Sequence, residues 1–427
     1  MAAEYGIIAE STPKEVFSTK YLLVIGDGMA DDPVPQLGNK TPLQTAPTPA
    51  IDRMAAKGVV GSAVNCPPPL PAGSETAILS IFGCDPRRYF TGRSPMEAAA
   101  AGIVMRPGDA AFRCNLISFE DSQAPMEEKR ILSHSAGSID GASALETVHV
   151  LLEDPRFSRA LEDARIELHP FPAFRQLAVQ HESDLSGIRF FPPHDHLGEK
   201  SGPYLPAGNR RGEVFRNLMA LAHEILDRHP VTEKRRLAGK LPANGIWFWA
   251  EGTSVTLPSF REQYGLDGAV VSAVPLCHGI GALRGLEMVE VAGATGELDT
   301  NFPGKLEAVW SKLQQYDFVC LHLEAPDECT HNGDLPGKLK AIEWLDSKLV
   351  APLTARLEQS GQDYRLLLLS DHKTLTATRG HGADPVPFLI YDSRRDTHRG
   401  GVYDEPAGEA GPFVENGSAL LDMLFER

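Results

Sequence analysis

The chain has 427 residues, enough for two or three domains of about 150 residues each and for a large buried core. Its 41 Lys and Arg against 57 Asp and Glu give a net charge of −16, which disfavours non-specific binding to nucleic acid or to an anionic membrane surface. With 42% hydrophobic and 23% charged residues, the composition excludes a disordered chain.

Residues 1–20 are predicted to be an irregular extension. They contain no basic region followed by an apolar stretch, so we do not expect a secretory signal. No apolar run in the chain approaches the roughly 18 residues of a membrane span. The six cysteines form no CxxC pair, which argues against a disulfide framework or a cysteine zinc site. We therefore predict a reduced, cytoplasmic protein without membrane or nucleic-acid partners.

The first elements after the extension have a βαβ rhythm. Tyr21–Gly26 (YLLVIG) is a short continuous apolar run, which is typical of a strand buried on both faces of a parallel sheet. A helix is predicted from about Pro49, with Thr48 as its N-cap, and it ends at Gly58. Val59–Val64 follows as the next strand. This rhythm predicts an α/β layered fold.

The middle of the chain has a different pattern. Between about Asn115 and Ala243 the predicted strands are polar and alternating, and Pro-rich breaks interrupt them. One amphipathic helix is predicted at about Glu213–Asp227. We expect residues 115–243 to form a second domain inserted into the first, which then comprises 21–114 and 244–427. The first sheet is predicted to resume at Ile246–Ala250 (IWFWA).

The βαβ rhythm returns late in the chain. Buried strands are predicted at Phe318–Leu323, Arg365–Ser370 and Val386–Tyr391, and Lys338–Leu357 has helical periodicity. Each of the late strands has Asp and His residues close by. We therefore expect a site at the edge of the sheet that these strands share.

Asp27 lies just past the end of the first predicted strand, where ligands bind in open α/β sheets. The flanking Gly26 and Gly28 allow the backbone to approach a bound ion or phosphate closely. Gly-Asp-Gly is also a common turn sequence, so a purely structural role stays open.

Asp371 and His372 follow the strand RLLLLS in the same way, and such a pair can share one metal ion. The alternative is a helix N-cap for Asp371 and a surface position for His372. His381 precedes the next predicted strand, and a lone histidine is more often structural than catalytic.

Asp327 and His331 are four residues apart, with Glu324 and Glu328 nearby. On a helix both side chains would lie on the same face, a spacing that suits two ligands of one metal. The alternative is a solvated acidic turn, which Pro326 favours.

Ser74 begins a predicted helix after the tight loop PAG. A serine at this position is most often an N-cap, but it can also be a nucleophile at the end of a helix that attracts phosphate. Taken together, three Asp and three His lie next to predicted strands, and two metal ions about 3.5–4 Å apart form a clamp for phosphoryl displacement.

At these residues the chain resembles the archaeal-type, cofactor-independent phosphoglycerate mutases of the alkaline phosphatase superfamily. The resemblance runs from about Tyr21 to the C-terminus, and nine pieces in order are far more specific than any one of them. These are GDGMAD (26–31), TPLQTAPTPAIDRMA (41–55), PAGSETAILSIFGCDP (71–86), TGRSPMEAA (91–99), PANGIWFWAEG (242–252), GATGELDTN (293–301), EAPDECTHNGD (324–334), SDH (370–372) and HGADPVPF (381–388).

The resemblance implies a role for each matching residue. Ser74 would be the phosphorylated nucleophile. One metal would be held by Asp27, Ser74, Asp371 and His372, and the other by Asp327, His331 and His381. Candidates for substrate binding are Arg93, Arg175, His194 and Asp195.

The resemblance also implies a fold and a reaction. The fold is an alkaline-phosphatase-like sandwich, a mostly parallel sheet between helices, with an inserted smaller α+β lid domain. The enzyme would be an isomerase of glycolysis and gluconeogenesis that interconverts 3-phosphoglycerate and 2-phosphoglycerate through a phosphoserine. It would use two divalent ions, with Mn²⁺ expected and Mg²⁺, Zn²⁺ or Co²⁺ possible, and no bisphosphoglycerate. Its partner would be a small phosphorylated metabolite, and the family includes both monomers and larger assemblies.

The sequence departs from the family pattern mainly after His372, where Lys-Thr-Leu (373–375) replaces the usual Pro-Thr-Pro. Lys373 could alter acceptor preference, which keeps a homoserine-kinase-like phosphotransferase as an alternative, although no Walker A sequence is present. A phosphatase that loses the phosphoserine to water is a further alternative. A non-catalytic binding protein is disfavoured, because all seven expected ligands are present.

Overall fold

The computed structural model describes residues 19–397 and 401–427, so the predicted extension lies outside it except for its last two positions. The strands are β1 Lys20–Gly26, β2 Val59–Ala63, β3 Ala110–Phe119, β4 Ile131–Ser133, β5 Ile166–His169, β6 Arg175–Gln180, β7 Gly245–Thr253, β8 Gly268–Val271, β9 Glu287–Val289, β10 Phe318–Leu323, β11 Tyr364–Leu369, β12 Lys373–Leu375, β13 Gly380–Gly382, β14 Val386–Asp392 and β15 Phe413–Val414.

Helices cover both sheets. They are α1 Pro42–Thr45, α2 Pro49–Ala55, α3 Ser74–Ile81, α4 Pro86–Tyr89, α5 Ser94–Ala100, α6 Gly141–Glu153, α7 Pro155–Ala164, α8 Arg210–Asp227, α9 Pro230–Leu237, α10 Phe260–Tyr264, α11 Pro275–Leu283, α12 Phe302–Leu313, α13 Ala325–His331, α14 Leu335–Trp344, α15 Ala351–Ser360, α16 Glu405–Ala410 and α17 Leu420–Phe425.

The main sheet has eight strands in the order β15-β2-β14-β11-β1-β10-β8-β9. β1 pairs in parallel with both β10 and β11, and β8 and β9 continue the parallel arrangement. β14 is antiparallel to both of its neighbours, β11 and β2. The predicted α/β fold with a mostly parallel sheet is thus confirmed.

Both faces of the main sheet are buried. In β1, Leu22 and Val24 belong to one hydrophobic cluster, while Leu23 and Ile25 belong to another. Because successive side chains of a strand point to opposite faces, these clusters are the cores above and below the sheet. The apolar run in the sequence is continuous because side chains on both faces of β1 are buried in these cores. The prediction of a strand buried on both faces is confirmed.

A separate small sheet is built from the middle of the chain, in the order β4-β3-β6-β5, with β7 paired to β3. The prediction that the first sheet resumes at Ile246–Ala250 is therefore wrong, because this run lies in β7 and pairs with Asn115 and its neighbours in antiparallel register. An apolar run indicates that a strand is buried, but it does not indicate which strand pairs with it. The predicted boundary after residue 114 also falls inside β3.

The predicted helix Lys338–Leu357 lies within a longer helical run. It comprises α14, a π-helical segment at Leu345–Val350, and α15. In the π segment, the buried Asp346 carboxylate accepts hydrogen bonds from the backbone N–H groups of Ala50 and Ile51. The wider turn thus joins this helix to the start of α2, whose own N-cap position, Thr48, makes no side-chain cap bond.

All six cysteines are buried and free, in agreement with the prediction of a chain without disulfides. In the described part of the chain, no helix combines the length and the apolar character that crossing a bilayer requires.

Candidate active site

The predicted ligands come from neighbouring strands of the main sheet. Asp27 follows β1, Asp371 follows β11, and Asp327 lies on α13, directly after β10. His381 precedes β14, but β14 runs opposite to the others, so its beginning lies at the same edge as the carboxyl ends of the parallel strands. The antiparallel direction of one strand therefore brings His381 into the site.

Asp27, Asp371 and His372 form one compact set, called here the Asp27 group. All three are buried, and they offer ligand atoms that lie within 4.8 Å of one another. His372 Nε2 lies 3.2 Å from Asp371 Oδ2 and 3.7 Å from Asp27 Oδ1. The N-cap role considered for Asp371 is wrong, because a strand and not a helix follows it. Asp27 does lie in a turn, so its predicted role in a turn is compatible with its predicted role as a ligand.

A histidine of β10 orients Asp27. Burial and the nearby Lys305 lower the pKa of His322 to about 3, so the ring is neutral. His322 Nε2 lies 3.0 Å from Asp27 Oδ2, and an ionised carboxylate only accepts, so Nε2–H donates to Asp27. His322 Nδ1 then accepts from the Ser272 hydroxyl, 3.0 Å away, whose oxygen also accepts from the Val274 N–H.

Asp327, His331 and His381 form the second set, the Asp327 group. His331 Nε2 lies 3.1 Å from Asp327 Oδ2, and His381 Nε2 lies 3.5 Å from Asp327 Oδ1. The i, i+4 spacing on α13 produces the first contact, as predicted. Asp327 is only 5% exposed, so the alternative of a solvated acidic turn is wrong. Pro326 lies in the first turn of α13, where a proline is tolerated.

The imidazoles of the Asp327 group present Nε2 to the site. His331 Nδ1 lies 2.8 Å from the Arg379 carbonyl oxygen, and His381 Nδ1 lies 3.3 Å from the Ala72 carbonyl oxygen. A carbonyl oxygen only accepts, so Nδ1 carries the proton in both rings. In the neutral rings each Nε2 then has a lone pair, and the two Nε2 atoms face each other at 2.9 Å. Lone pairs this close require a proton or a cation between them.

Unpartnered carboxylate oxygens also make the Asp27 group suited to a cation. Asp371 Oδ1 accepts from the backbone N–H groups of Gly28 and His372. By contrast, Asp27 Oδ1 and Asp371 Oδ2 are buried and have no hydrogen-bond partner among the described residues. A buried, unpaired carboxylate oxygen is costly, and a divalent cation satisfies it. The residues present therefore fit a metal ion.

The electrostatics of the two groups agree with this fit. Burial and the neighbouring carboxylates, Asp371 first, raise the pKa of Asp27 well above its usual value. The hydrogen bond that His331 donates to the Asp327 carboxylate raises the pKa of His331 to about 9. Without a cation, Asp27 and His331 thus hold their protons more tightly than usual. A bound cation would neutralise the same negative charge in place of these protons.

His372 lies between the two groups. It offers a ligand atom within 4.8 Å of ligand atoms of Asp327 and His381 as well as of those of Asp27 and Asp371. The resemblance assigned His372 to the first metal alone, whereas in the structure it is close to both sets. The rings of His372 and His381 are 4.1 Å apart between centroids.

Ser74 is the first residue of α3, and its Oγ lies 3.2 Å from His372 Nε2. The alternative of a serine N-cap is wrong, because Gly73 occupies that position and no side chain caps the helix. The preceding loop is held near the site by Asn65, whose amide nitrogen donates to the carbonyl oxygens of Ser370 and Asp371 at 3.3 and 2.8 Å. The hydroxyl of Ser74 therefore faces the Asp27 group.

Arg93 lies close to Ser74, since its guanidinium is 3.4 Å from the Glu75 carboxylate and 3.1 Å from that of Glu97. Glu97 also pairs with Arg113 of the small sheet. Arg175 lines a cleft of about 540 Å³ between α5, β6 and the loop after β8. Burial and the nearby Arg113 lower the pKa of Arg175 to about 10.

His194 and Asp195 lie farther out, in a short 3₁₀ turn next to the small sheet. The His194 ring packs against Trp249 with centroids 5.1 Å apart, and Asp195 Oδ1 lies 3.5 Å from His194 Nε2. Within the described residues, no hydrogen bond or ion pair joins Arg175, His194 or Asp195 to the seven predicted ligands.

Several residues that support the site were not predicted from the sequence, namely His322, Thr374, Lys305 and Lys338. His322 lies inside the apolar run FVCLHL, and a polar residue in such a run was the available signal. Lys373 was singled out, and its Nζ pairs with Asp32 Oδ1 at 2.7 Å.

Comparison with known proteins places these observations in a family context. Residues 19–423 match the profile of the metalloenzyme superfamily. The chain is 40% identical over 411 residues to a probable 2,3-bisphosphoglycerate-independent phosphoglycerate mutase of Geobacter sulfurreducens, covering 96% of this chain and 100% of that protein. It is 42% identical over 407 residues to the 2,3-bisphosphoglycerate-independent phosphoglycerate mutase of Methanosarcina acetivorans, covering 95% and 99%.

Solved structures are similar over almost the whole chain. The PH0037 protein of Pyrococcus horikoshii superimposes with a TM-score of 0.75 at 28% identity, covering 96% of this chain and 97% of that one. The cofactor-independent phosphoglycerate mutase of Thermoplasma acidophilum superimposes with a TM-score of 0.65 at 25% identity, covering 96% and 99%.

Proposed function

The chain belongs to the metalloenzyme superfamily and, within it, to the 2,3-bisphosphoglycerate-independent phosphoglycerate mutases, and on that premise we propose that Ser74 carries the phosphoryl group during the reaction. The enzyme interconverts 3-phosphoglycerate and 2-phosphoglycerate. The observation that supports the role of Ser74 is its position at the start of α3, with Oγ 3.2 Å from His372 Nε2. A helix N-terminus favours the negative charge of an arriving phosphate.

The proposed reaction has two in-line transfers. In the first, Ser74 Oγ loses its proton and attacks phosphorus, and the bond to the oxygen on carbon 3 of the substrate breaks. That oxygen takes up a proton, which leaves glycerate and a phosphoserine. Glycerate then reorients, and the hydroxyl on carbon 2 loses its proton and attacks phosphorus. The Ser74 Oγ–phosphorus bond breaks, and Ser74 Oγ takes up a proton, which leaves 2-phosphoglycerate and free Ser74. A covalent intermediate divides one difficult transfer into two easier steps.

The enzyme depends on divalent metal. We propose two ions, with Mn²⁺ preferred, held by Asp27, Ser74, Asp371 and His372 on one side and by the Asp327 group on the other. When bound, such ions supply positive charge that favours ionised Ser74 and stabilises the phosphoryl oxygens. The bare carboxylate oxygens of Asp27 and Asp371 and the facing imidazoles of the Asp327 group support this assignment.

We propose that the small sheet and its helices act as the inserted lid domain, predicted over residues 115–243. Arg175 is the candidate that reaches the cleft, where its cationic side chain suits a carboxylate or phosphate. Arg93, His194 and Asp195 are further candidates. A lid is needed because water would otherwise hydrolyse the phosphoserine. We also propose that the enzyme is cytoplasmic and has no nucleic-acid partner, which its net charge of −16 supports.

The experiment that tests this function is turnover of 3-phosphoglycerate coupled to enolase. Metal-stripped enzyme receives Mn²⁺, and no bisphosphoglycerate is supplied. We expect 2-phosphoglycerate to form only after Mn²⁺ is added. Release of inorganic phosphate in place of product would identify a phosphatase. Turnover that does not need metal would overturn the metal-dependent route.

A further inference from the structure

Thr374 contacts a ligand of each metal group. Its Oγ1 lies 2.6 Å from Asp327 Oδ1 and 3.2 Å from His372 Nδ1, and its side chain is fully buried. Thr374 is the middle residue of Lys-Thr-Leu (373–375) and matches the threonine of the family's usual Pro-Thr-Pro, and no role was predicted for it from the sequence. The hydroxyl is nevertheless placed between the two sets of ligands.

The direction of both hydrogen bonds follows from the chemistry of the groups. A hydroxyl has one hydrogen, and an ionised carboxylate only accepts. Thr374 therefore donates to Asp327 Oδ1, and the contact with His372 must be a hydrogen bond from the Nδ1–H of His372 to Thr374 Oγ1. With the proton on Nδ1, the Nε2 lone pair of His372 faces Asp27, Asp371 and Ser74.

The backbone of Thr374 is held independently of its hydroxyl. Its N–H donates to the Ala30 carbonyl oxygen at 3.1 Å, and Lys338 Nζ donates to the Thr374 carbonyl oxygen at 2.7 Å. Gly28 packs directly against the side chain, since a Cβ there would lie 2.3 Å from Oγ1. A substitution that removes only the hydroxyl thus leaves the backbone in place.

We propose that Thr374 is a positioning residue that orients one ligand of each metal group through a single hydroxyl, an inference that rests on the proposed two-metal function. The hydroxyl fixes the tautomer of His372 and the direction of the Asp327 carboxylate at the same time. Mutation of a residue that hydrogen-bonds to a metal ligand typically lowers metal affinity by about 10–100-fold. Loss of this hydroxyl therefore weakens both metal-binding steps, whereas loss of one ligand mainly weakens its own step.

The test is a calorimetric titration of metal-free enzyme with Mn²⁺, comparing Thr374→Val with Thr374→Ser. Valine keeps the shape of threonine without the hydroxyl, and serine keeps the hydroxyl. We expect Thr374→Val to weaken both binding steps by about 10-fold or more, and Thr374→Ser to stay within about 3-fold of the natural enzyme. The melting temperatures of the metal-free variants check that both are folded. If Thr374→Val does not fold, Thr374→Ala takes its place in the comparison.

Two reference variants separate this inference from the function on which it rests. Asp327→Asn and Asp371→Asn each remove a ligand from a different group. If neither reference variant changes Mn²⁺ binding, the two-metal assignment itself is wrong. If both weaken binding but Thr374→Val weakens one step only, or neither, the metal sites stand and the role of Thr374 is overturned.

Discussion

At the scale of single residues, the proposed chemistry depends on the hydroxyl of Ser74. We expect Ser74→Ala to lower kcat by at least about a thousandfold, because no other group takes over the phosphoryl transfer. The fold should survive, because Gly73 and not Ser74 occupies the N-cap of α3. The enolase-coupled assay measures the loss, and circular dichroism measures the fold.

Ser347→Ala is the matched control for this prediction. Ser347 is exposed, and its hydroxyl donates only to the Glu343 carbonyl oxygen within the same helical run. Its turnover should equal that of the natural enzyme. Unchanged turnover in Ser74→Ala would remove Ser74 from the mechanism.

The raised pKa of His331 makes metal binding depend on pH in a defined direction. The hydrogen bond that His331 donates to the Asp327 carboxylate raises this pKa to about 9 in the metal-free enzyme, so below pH 9 a metal ion must displace a proton. The apparent Mn²⁺ affinity of the Asp327 group should therefore rise with pH and level off near pH 9. Titrations at pH 6.5, 7.5 and 8.5 measure the slope.

His331→Ala provides the comparison for this pH dependence. Without the imidazole, one ligand is lost and affinity falls at every pH, but there is one proton fewer to displace. The slope of affinity against pH should then be shallower than in the natural enzyme. Equal slopes in both proteins would show that the displaced proton does not come from His331.

The metal-ligand candidates were predictable from sequence because they follow apolar strands that end at one edge of a sheet. Asp27 and Asp371 have this pattern, and the spacing of Asp327 and His331 placed them on one helix face. The supporting residues were not predictable in the same way. His322 and Thr374 act through hydrogen bonds across the sheet, and which atoms meet there depends on strand order and not on local pattern.

At the scale of elements, the buried Lys338 joins α14 to Asp31 through an ion pair and to the segment that carries Thr374 through a hydrogen bond. Lys338 Nζ lies 2.9 Å from Asp31 Oδ2 and 2.7 Å from the Thr374 carbonyl oxygen, and the side chain is fully buried. Replacing Lys338 leaves the Asp31 carboxylate buried without its cation. We expect Lys338→Met to lower the free energy of unfolding by about 3–5 kcal/mol, as measured by urea denaturation.

Lys340→Met tests whether any lysine of α14 has this effect. Lys340 lies two residues farther along and pairs with Glu343 at the surface, where its side chain is 44% exposed. Exposed pairs contribute about 0–1 kcal/mol, so this variant should unfold almost as the natural enzyme does. Similar losses in both variants would mean that the buried pair has no special role.

The elements themselves were predictable to different degrees. The apolar runs of β1, β10 and β11 identified the centre of the main sheet, because strands buried on both faces leave a continuous signal. The same signal misled at β7, which is buried between a neighbouring strand and helices in the small sheet. Pairing over long sequence distances leaves no local trace, so the strand could be predicted but not the sheet to which it belongs.

At the scale of the whole molecule, we expect the substrate to reach the cleft that lies between α5, β6 and the loop after β8. Arg175 lines the cleft from the small sheet, and its Nε is buried without a hydrogen-bond partner among the described residues. We expect Arg175→Ala to lower kcat/KM for 3-phosphoglycerate by about 10–100-fold, corresponding to the loss of a hydrogen bond to a charged group. Mn²⁺ affinity should not change.

Arg159→Ala is the control for the loss of an arginine from the same part of the chain. Arg159 is 78% exposed on α7 and faces Asp163. Its steady-state kinetics should match those of the natural enzyme. If Arg175→Ala weakens Mn²⁺ binding as strongly as it lowers kcat/KM, its effect is on the metal site and not on substrate.

The position of β1 has a consequence for synthesis of the chain on the ribosome. Tyr21 pairs with Phe318 on one side and Arg365 on the other, so β1 has neither partner until the last third of the chain is made. At about 5–20 residues per second, that wait lasts roughly 15–60 s. All strands of the small sheet, by contrast, are complete by Thr253. In a stalled nascent chain that ends at Thr300, we expect the small sheet to resist protease while the apolar β1 segment is still cleaved and open to chaperones.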